Sequence, residues 1–309
     1  MTLSVVIITH NEEANIGRTL ESVKPLVCDG KGEIIVVDSG STDRTVEIAK
    51  SFGAKVFVED WKGFAAQKNS AIDKATGDWI LSLDADEEVD PTLAELIPLL
   101  MSKAAGFTET ELENFSRSVG GDSVDTVELV MAYEEAHAGK EPQDRVDAVS
   151  GYLVPRKNYF LGQWIEHGGF WPDPKLRLFR RGYGRFEGRS VHETVKVDGY
   201  TAKLKNVFLI HHSYPTLSDY IDHMNRYSSL GAEMVVAESN RRVRFSVINI
   251  VLRPLATFIY NYFFRLGFLD GREGLLLHLY HAVYVSWKYS KAWELSRNQA
   301  SSVHDRPIV

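Results

Sequence analysis

The sequence lacks the marks of several common protein classes. Its 309 residues include one cysteine, Cys28, so no intramolecular disulfide can form, which suits a reducing compartment. It has no zinc-type ligand spacing, no Walker loop and no Gly-x-Gly-x-x-Gly motif. No basic segment precedes the first apolar run, so we expect no signal peptide. These absences argue against disulfide-rich, zinc-binding and P-loop proteins.

Long apolar runs are also missing. The longest charge-free stretches of the C-terminal part are 254–264 and 274–287, shorter than the ~20 residues that a membrane-spanning helix needs. The net charge of −7 is unevenly distributed, because residues 241–309 hold ten Lys and Arg against four Asp and Glu. The acidic remainder argues against nucleic-acid binding.

The basic C-terminal part is rich in aromatic residues. Its apolar stretches are interrupted by basic residues, namely Arg253, Arg265, Arg272, Lys288 and Lys291. This pattern predicts helices that lie in the interface of an anionic membrane leaflet. The alternative is that these helices pack against the rest of the chain or against another copy of it, so oligomerisation stays open.

The first hundred residues alternate apolar, β-branched runs with helix-like stretches. The runs 4–9, 33–38, 55–58 and 79–83 predict a parallel sheet with crossover helices. Polar residues follow three of these strands, at the edge where open α/β sheets bind ligands. Asp38 ends an apolar strand, where a carboxylate is costly without a partner. Ser41 and Thr42 are interpreted as ordinary helix caps.

Asp84-Ala85-Asp86 follows the apolar run 79–83. Residues two apart on a strand point the same way, so both carboxylates are expected to face one point. Carboxylate oxygens suit a hard divalent cation, Mg²⁺ or Mn²⁺, which could neutralise a diphosphate. The alternative for such a pair is a solvated turn.

Several motifs occur in the order and spacing of a known family. They are Ser4 to Asn11, Val37 to Asp43, Trp61-Lys62-Gly63-Phe64 with Gln67-Lys68-Asn69, and Leu83 to Glu87. The chain resembles family 2 glycosyltransferases of the GT-A fold. Later motifs are similar to the subgroup that adds sugars to lipopolysaccharide inner core or related glycolipids; they are Gly168 to Asp173, Arg177 to Arg180, Val191-His192-Glu193 and Gly267 to Gly271.

The resemblance implies an α/β fold, a GT-A-like (Rossmann-like), mostly parallel sheet flanked by helices. We expect a catalytic domain over 1–215 and a helical, basic and aromatic, membrane-associating extension over 216–309. Residues 102–150 interrupt the family pattern and are acidic, with one helix candidate at 124–137. The stretch around Ser123 resembles the second helix of acyl carrier proteins, but a surface helical insertion is the better interpretation.

The resemblance also implies roles for individual residues. Asp86 and His211 would bind the metal, and the alternative for His211 is a structural histidine. Asp84 would contact the ribose or a water, Asp38 would accept from the nucleobase N–H, and Lys68 would contact the diphosphate unless it is merely solvated. The remaining donor-binding residues, lining the base and ribose pocket, would be Thr9, Asn11 and Glu12.

A hydroxyl acceptor needs a general base, for which Glu193 and Asp173 are the candidates. Glu193 is preferred, because the family pattern has an acidic residue there, although His-Glu replaces the commoner Glu-Asp pair. Asp173 follows a glycine-rich stretch that could be mobile, and its alternative role is an ion pair with Arg177 or Lys175.

The predicted function is that of an inverting, metal-dependent hexosyltransferase. It would move a sugar from a nucleotide-diphosphate donor, a UDP-sugar by preference, to a lipopolysaccharide-core or other glycolipid acceptor at the inner face of the cytoplasmic membrane. The alternative is a non-catalytic nucleotide-sugar-binding or scaffold protein. A nucleotidyltransferase is disfavoured because no basic glycine loop follows the first strand.

Overall fold

The computed structural model describes residues 1–102, 149–188, 194–239 and 243–304. The chain divides into two units, the first made of Met1–Lys157 with Asp173–His211 and the second of Asn158–Pro172 with His212–Val309. The predicted domains, 1–215 and 216–309, differ by assigning 158–172 and 212–215 to the first part, and they stay a prediction. The predicted insertion helix and Ser123 lie outside the described residues.

The described part of the first unit holds most of the strands and four helices. The strands are β1 (Leu3–Thr9), β2 (Gly32–Asp38), β3 (Lys55–Val58), β4 (Trp79–Asp84), β5 (Glu87–Val89), β6 (Gly151–Val154), β7 (Arg156–Phe160), β8 (Gln163–Trp164), β9 (Lys175–Arg180), β10 (Gly184–Glu187), β11 (Thr194–Val197), β12 (Thr201–Lys203) and β13 (Leu209–Tyr214); β8 belongs to the second unit, and the unit boundaries fall within β7 and β13. The helices are α1 (Ile16–Val27), α2 (Thr45–Ser51), α3 (Phe64–Asp73) and α4 (Pro91–Ser102).

A seven-stranded sheet forms the centre of the first unit, in the order β12-β6-β9-β4-β1-β2-β3. Strands β3, β2, β1 and β4 are parallel, whereas β9 runs antiparallel to both β4 and β6. In register, Thr9 lies opposite Asp38 and Ile8 lies opposite Asp84. The predicted α/β, mostly parallel sheet is therefore confirmed, and its three polar strand ends share one edge.

The central strands are apolar because both of their faces are covered. Val5 and Ile7 of β1 point to the face that packs on Leu20 of α1, and Val6 points to the face that packs on Ile72 of α3. Alternate residues of a strand face opposite sides, so a strand between two helical layers has no solvent-facing position to fill with polar residues. This packing gives the continuous apolar runs seen in the sequence.

The second unit is mainly helical, which agrees with the predicted C-terminal helices. Its elements are α5 (Leu217–Glu238), a π-helical segment Ile248–Leu252, α6 (Arg253–Ile259), a second π-helical segment Tyr260–Phe264, a 3₁₀ turn Gly267–Asp270 and α7 (Gly271–His304). A capping box begins α5, in which Thr216 and Asp219 exchange hydrogen bonds. None of the helices in the described part of the chain combines the length and apolarity required to traverse a bilayer.

Glu33 connects three parts of the first unit. Its carboxylate accepts hydrogen bonds from Ser4 Oγ at 2.7 Å and from Thr76 N at 2.7 Å, and it pairs with Lys55 Nζ at 2.7 Å. Burial alone would raise the pKa of Glu33, but these donors outweigh it and lower the pKa to about 2. Because the folded-state pKa is depressed, the ionised carboxylate stabilises the native state.

We expect Glu33→Gln to lower the free energy of unfolding near neutral pH by about 1–3 kcal/mol, since a charged acceptor is lost. The wild-type contribution is fully present above the ordinary pKa of 4.5 and is lost as the pH falls towards about 2. The difference between variant and wild type should therefore shrink on acidification. Urea denaturation over a pH series measures both effects.

Glu47→Gln is the matched control, because Glu47 makes an exposed pair with Arg44 and should change the free energy of unfolding little. Equal stability of Glu33→Gln and wild type near neutral pH would contradict the role assigned to Glu33.

Candidate active site

Asp38 is fully buried at the end of β2 and receives its hydrogen bonds from its own surroundings. It accepts from Thr9 Oγ1 at 2.9 Å, from Gly40 N at 3.0 Å and from both the N–H, at 2.8 Å, and the hydroxyl of Ser41. The cost of burying this carboxylate is thus met by the protein. The role of Asp38 towards a nucleobase stays a prediction.

The capping role expected of Ser41 and Thr42 is wrong. Helix α2 begins at Thr45, and it is Asp43 that accepts from Thr45 N at 3.0 Å. Ser41 instead bonds Asp38 and accepts from Asn11 N at 2.8 Å. The loop was misassigned because short polar side chains bond nearby backbone equally well in caps and in turns.

Asn11 and Glu12 join the loops that follow β1 and β2. Asn11 has a left-handed backbone (φ 57°), and its Oδ1 accepts from Thr42 N at 2.8 Å. The N–H of Glu12 donates to Thr45 Oγ1 at 2.7 Å. Burial raises the pKa of the Glu12 carboxyl, and the nearby charges of Asp86, Asp43 and Asp84 raise it further against a hydrogen bond from Asn15. Glu12 therefore faces the acidic end of β4.

The two carboxylates of the Asp-x-Asp motif have different partners. Strand β4 ends at Asp84, and Asp86 lies in the turn before β5, so strand alternation does not extend to Asp86. Asp84 pairs with Lys68 Nζ at 2.8 Å and with Arg177 Nη2 at 2.5 Å. Burial would raise the pKa of Asp84, but Arg177 and Lys68 hold it well below its usual range.

Lys68 is buried on α3, so the expectation that it might be merely solvated is wrong. Its helix begins after Gly63, which has a positive φ of 91°. Besides pairing with Asp84, its ammonium lies 5.0 Å from the centre of the Phe186 ring. A contact between Lys68 and a diphosphate stays a prediction.

A chain of alternating charges continues from Asp84 into the sheet. The fully buried Glu87 carboxylate accepts from Arg177 Nη2 at 2.6 Å and from Arg156 Nη1 at 2.9 Å. Arg156 in turn pairs with Asp173 at 2.5 Å, and Asp173 pairs with Lys175 at 3.0 Å. Buried charges are tolerated only when each is compensated in this way.

Asp173 therefore makes one of its two predicted ion pairs, the one with Lys175, while Arg177 pairs with Asp84 and Glu87 instead. Burial would raise the pKa of Asp173, but Arg156 and Lys175 lower it to about 2. An efficient general base has a pKa near the working pH. The geometry thus favours a structural role for Asp173, whereas Glu193 lies outside the described residues.

Asp86 and His211 meet at the edge of the sheet. His211 on β13 lies opposite Glu87 on β5, which brings its Nε2 to 3.3 Å from Asp86 Oδ2. Both side chains keep partial solvent exposure, 25% for Asp86 and 17% for His211. A carboxylate oxygen suits Mn²⁺ or Mg²⁺, and an imidazole nitrogen is a common ligand of transition-metal ions. Over the described ranges, no group of three or more Asp, Glu, His or Cys side chains is arranged to hold a metal.

Three residues of this site were not predicted as such: Glu87, Arg156 and Arg177. Arg177 carried no clear signal, because it alternates with two leucines on a strand that also contains Lys175 and Arg180, a pattern that usually places the basic residues in solvent. Glu87 and Arg156 carried none, since their pairing joins residues far apart in sequence.

Comparisons with known proteins identify similar sequences. Residues 4–108 match the family described as Glycosyl transferase family 2. The chain is 27% identical to the lipopolysaccharide core biosynthesis glycosyltransferase LpsC of Rhizobium meliloti. The match extends over 300 residues, which are 95% of this chain and 93% of LpsC. It is also 46% identical over 87 residues, 28% of this chain and 21% of the other, to the low-salt glycan biosynthesis hexosyltransferase Agl6 of Haloferax volcanii.

Among solved structures, the chain is similar to glucosyl-3-phosphoglycerate synthase from Mycobacterium tuberculosis, crystallised with Mn²⁺, uridine diphosphate and glucosyl-3-phosphoglycerate. The identity is 31% and the TM-score 0.28, over 33% of this chain and 38% of the other.

The mostly parallel sheet, the polar strand ends and the sequence matches support a glycosyltransferase with a GT-A-like fold. Residues 4–108 match glycosyltransferase family 2, and the likeness to a lipopolysaccharide core enzyme extends over nearly the whole length of both chains. The family and subgroup resemblance predicted from the motifs is confirmed.

We expect Arg177→Met to lower the free energy of unfolding by about 3–5 kcal/mol, because it leaves Glu87 and Asp84 with too little compensating charge in a buried site. The matched control is Arg185→Met, which breaks an ion pair with Asp73 in which both side chains are more than half exposed. The control should unfold close to wild type. Denaturant titration of both variants tests this, and similar stabilities for the two would contradict it.

Proposed function

We propose that the protein is an inverting glycosyltransferase that moves a sugar from a nucleotide-diphosphate donor, a UDP-sugar, to a hydroxyl of a lipopolysaccharide-core or other glycolipid acceptor. The observation that carries the proposal is the Asp86–His211 pair beside the polar ends of β1, β2 and β4. The long match to LpsC supports the acceptor class.

The donor nucleoside would bind over the ends of β1 and β2. Asp38 is held rigidly by Thr9 and the loop after β2, so its carboxylate has a fixed orientation before a base arrives. Asn11 and Glu12 border the same edge, where they would line the ribose pocket. Fixed donors and acceptors cost little reorganisation on binding.

The diphosphate would lie near Asp86 and His211, which fit a divalent cation by their chemistry and partial exposure. A bound Mg²⁺ or Mn²⁺ would neutralise charge that develops on the leaving diphosphate. The charge of Asp84 is compensated by Lys68 and Arg177. Asp84 would therefore contact the ribose or a water at the edge of the site and would not bind the metal. This leaves Asp86 as the carboxylate available to the metal.

Inversion follows from a single displacement, in which one base removes the proton of the acceptor hydroxyl as the sugar is transferred. We assign that base to Glu193 on the family pattern. The low pKa of Asp173 and its pairing with Arg156 and Lys175 support the same choice.

The acceptor class suggests where the enzyme works. A glycolipid presents its sugar at a membrane surface, so we propose that the protein acts at the inner face of the cytoplasmic membrane, with its C-terminal helices as the contact. Self-association through these helices is the competing use of the same surface.

We expect Asp86→Ala to lose the Mn²⁺-dependent part of UDP-glucose binding while the fold is retained, because one of two protein ligands is removed. Titration calorimetry with UDP-glucose, with and without Mn²⁺, measures this difference. Asp73→Ala is the control, since Asp73 makes an exposed pair with Arg185 away from the β4 turn. Unchanged affinity and activity in Asp86→Ala would overturn the metal assignment.

We expect Glu193→Gln to reduce kcat by ~10²–10⁴-fold with donor binding nearly intact, because glutamine keeps the size but cannot take a proton. Asp173→Asn should be milder and should act through Arg156, which loses one of its carboxylate partners. Steady-state transfer to a glycolipid acceptor, with donor affinity measured separately, distinguishes the two variants. If Asp173→Asn abolished transfer while Glu193→Gln remained nearly as active as wild type, Asp173 would be the general base instead of Glu193. If wild type bound the donor but transferred no sugar, the non-catalytic alternative would be favoured.

A further inference from the structure

The exposed apolar side chains are concentrated in one segment of the second unit. Among the described residues, fifteen of the 22 exposed large hydrophobic side chains lie between 245 and 279. Five of them recur at every fourth residue, and we call them the outer ridge: Val247, Val251, Leu255, Ile259 and Phe263. Four neighbours, Ile248, Leu252, Tyr260 and Phe264, lie one residue later than ridge positions, and Ala256 occupies the remaining position of that row.

The opposite side of the same segment packs against α7. Pro254 is buried, and Ile250, Phe258 and Tyr262 are partly buried at the same four-residue spacing. The rings of Phe258 and Tyr262 stack with centroids 5.2 Å apart, and the carbonyl of Ile250 accepts from Ser286 Oγ at 2.8 Å. The segment therefore has an inner face that is buried against α7 and an outer apolar face that is exposed.

The two π-helical segments explain how a four-residue spacing stays on one side. In an α-helix a step of four residues overshoots a full turn by about 40°, so a long series would wind around the axis. A π-helical turn closes with an i→i+5 hydrogen bond and holds more residues than an α-helical one. With such turns at Ile248–Leu252 and Tyr260–Phe264, flanking α6, the drift is reduced and the outer ridge keeps one direction.

The exposed charge around the outer ridge is positive. Within 243–279, which is fully described, Arg244, Arg253, Arg265 and Arg272 are exposed. The two acidic residues of this range are less exposed than the arginines. Glu273 is half-buried, and Asp270 is buried and accepts hydrogen bonds from the backbone N–H groups of Glu166 and His167. Apolar and aromatic side chains bordered by arginines are typical of surfaces that lie in the interface of an anionic membrane.

Charge complementarity favours an anionic lipid surface over a second copy of the chain as the partner of the outer ridge. In a two-fold dimer the same patch meets itself, so arginines would face arginines across an apolar contact. An anionic lipid surface instead offers phosphates to the arginines and acyl chains to the ridge. A bilayer therefore satisfies both features at once.

We propose that the outer ridge inserts into the interface of an anionic lipid bilayer, with the segment from Val247 to Phe264 lying along the membrane surface. The inference deepens the proposed function, because it names the surface that would bring the enzyme to a glycolipid acceptor. It is tested without donor or acceptor, so its failure and the failure of the proposed activity are distinguishable.

The test is flotation of the full chain with vesicles of equimolar phosphatidylglycerol and phosphatidylcholine, compared with phosphatidylcholine alone. Wild type should bind the anionic vesicles, and binding should weaken as salt screens the charges. The variant Val251→Ser/Leu255→Ser/Phe263→Ser should lower the partition coefficient by about tenfold or more, because three inserted apolar side chains are lost.

The matched control is Val58→Ser/Tyr183→Ser/Tyr200→Ser, which removes three exposed apolar side chains of the first unit and should bind as wild type does. Circular dichroism and thermal unfolding establish that each variant is folded. Absence of wild-type binding to anionic vesicles, or equal binding by the ridge variant, would overturn the proposal. So would sedimentation showing a lipid-free wild-type dimer that the ridge variant dissociates.

Discussion

The described part of the site depends on the compensation of charge in a largely buried region at the end of the central sheet. Glu87 has no exposed surface, and its carboxylate accepts hydrogen bonds from the guanidinium groups of Arg156 and Arg177. Each arginine also binds a second carboxylate, Asp173 or Asp84. Such a network adds little net stability relative to an apolar core, but it penalises any arrangement in which one member is displaced. It thereby fixes β4, β5 and β9 relative to one another.

This compensation separates two carboxylates that the sequence presents as equivalent. Asp84 is drawn into the network by Lys68 and Arg177, and the pKa of Asp84 falls accordingly. Asp86 is outside it and lies beside His211. Two identical side chains thus acquire different chemistry from their surroundings, as is common where enzymes use paired acids.

The sheet could be predicted from sequence because its parallel strands are covered on both faces and therefore form continuous apolar runs. The shared edge of Thr9, Asp38 and Asp84 followed from the same pattern. The antiparallel insertion of β9 between β4 and β6 could not be predicted, because it depends on pairing across a long sequence separation. For the same reason the partners of Asp84 were missed, and the loop of Ser41 was misassigned because its local hydrogen-bonding options are nearly equivalent.

The four-residue spacing of the outer ridge restricts the number of residues in this segment more than it restricts which apolar residues occupy the ridge. Any apolar side chain of suitable size could occupy its positions, so sequence drift there is tolerated. Loss of a single residue within α6 would instead turn everything that follows by about 100° about the axis. Phe263 would then take the position of Tyr262, whose ring contacts His278 of α7, and Phe264 would take the position of Phe263 on the outer ridge. Among relatives, this segment should accumulate substitutions freely and insertions or deletions hardly at all.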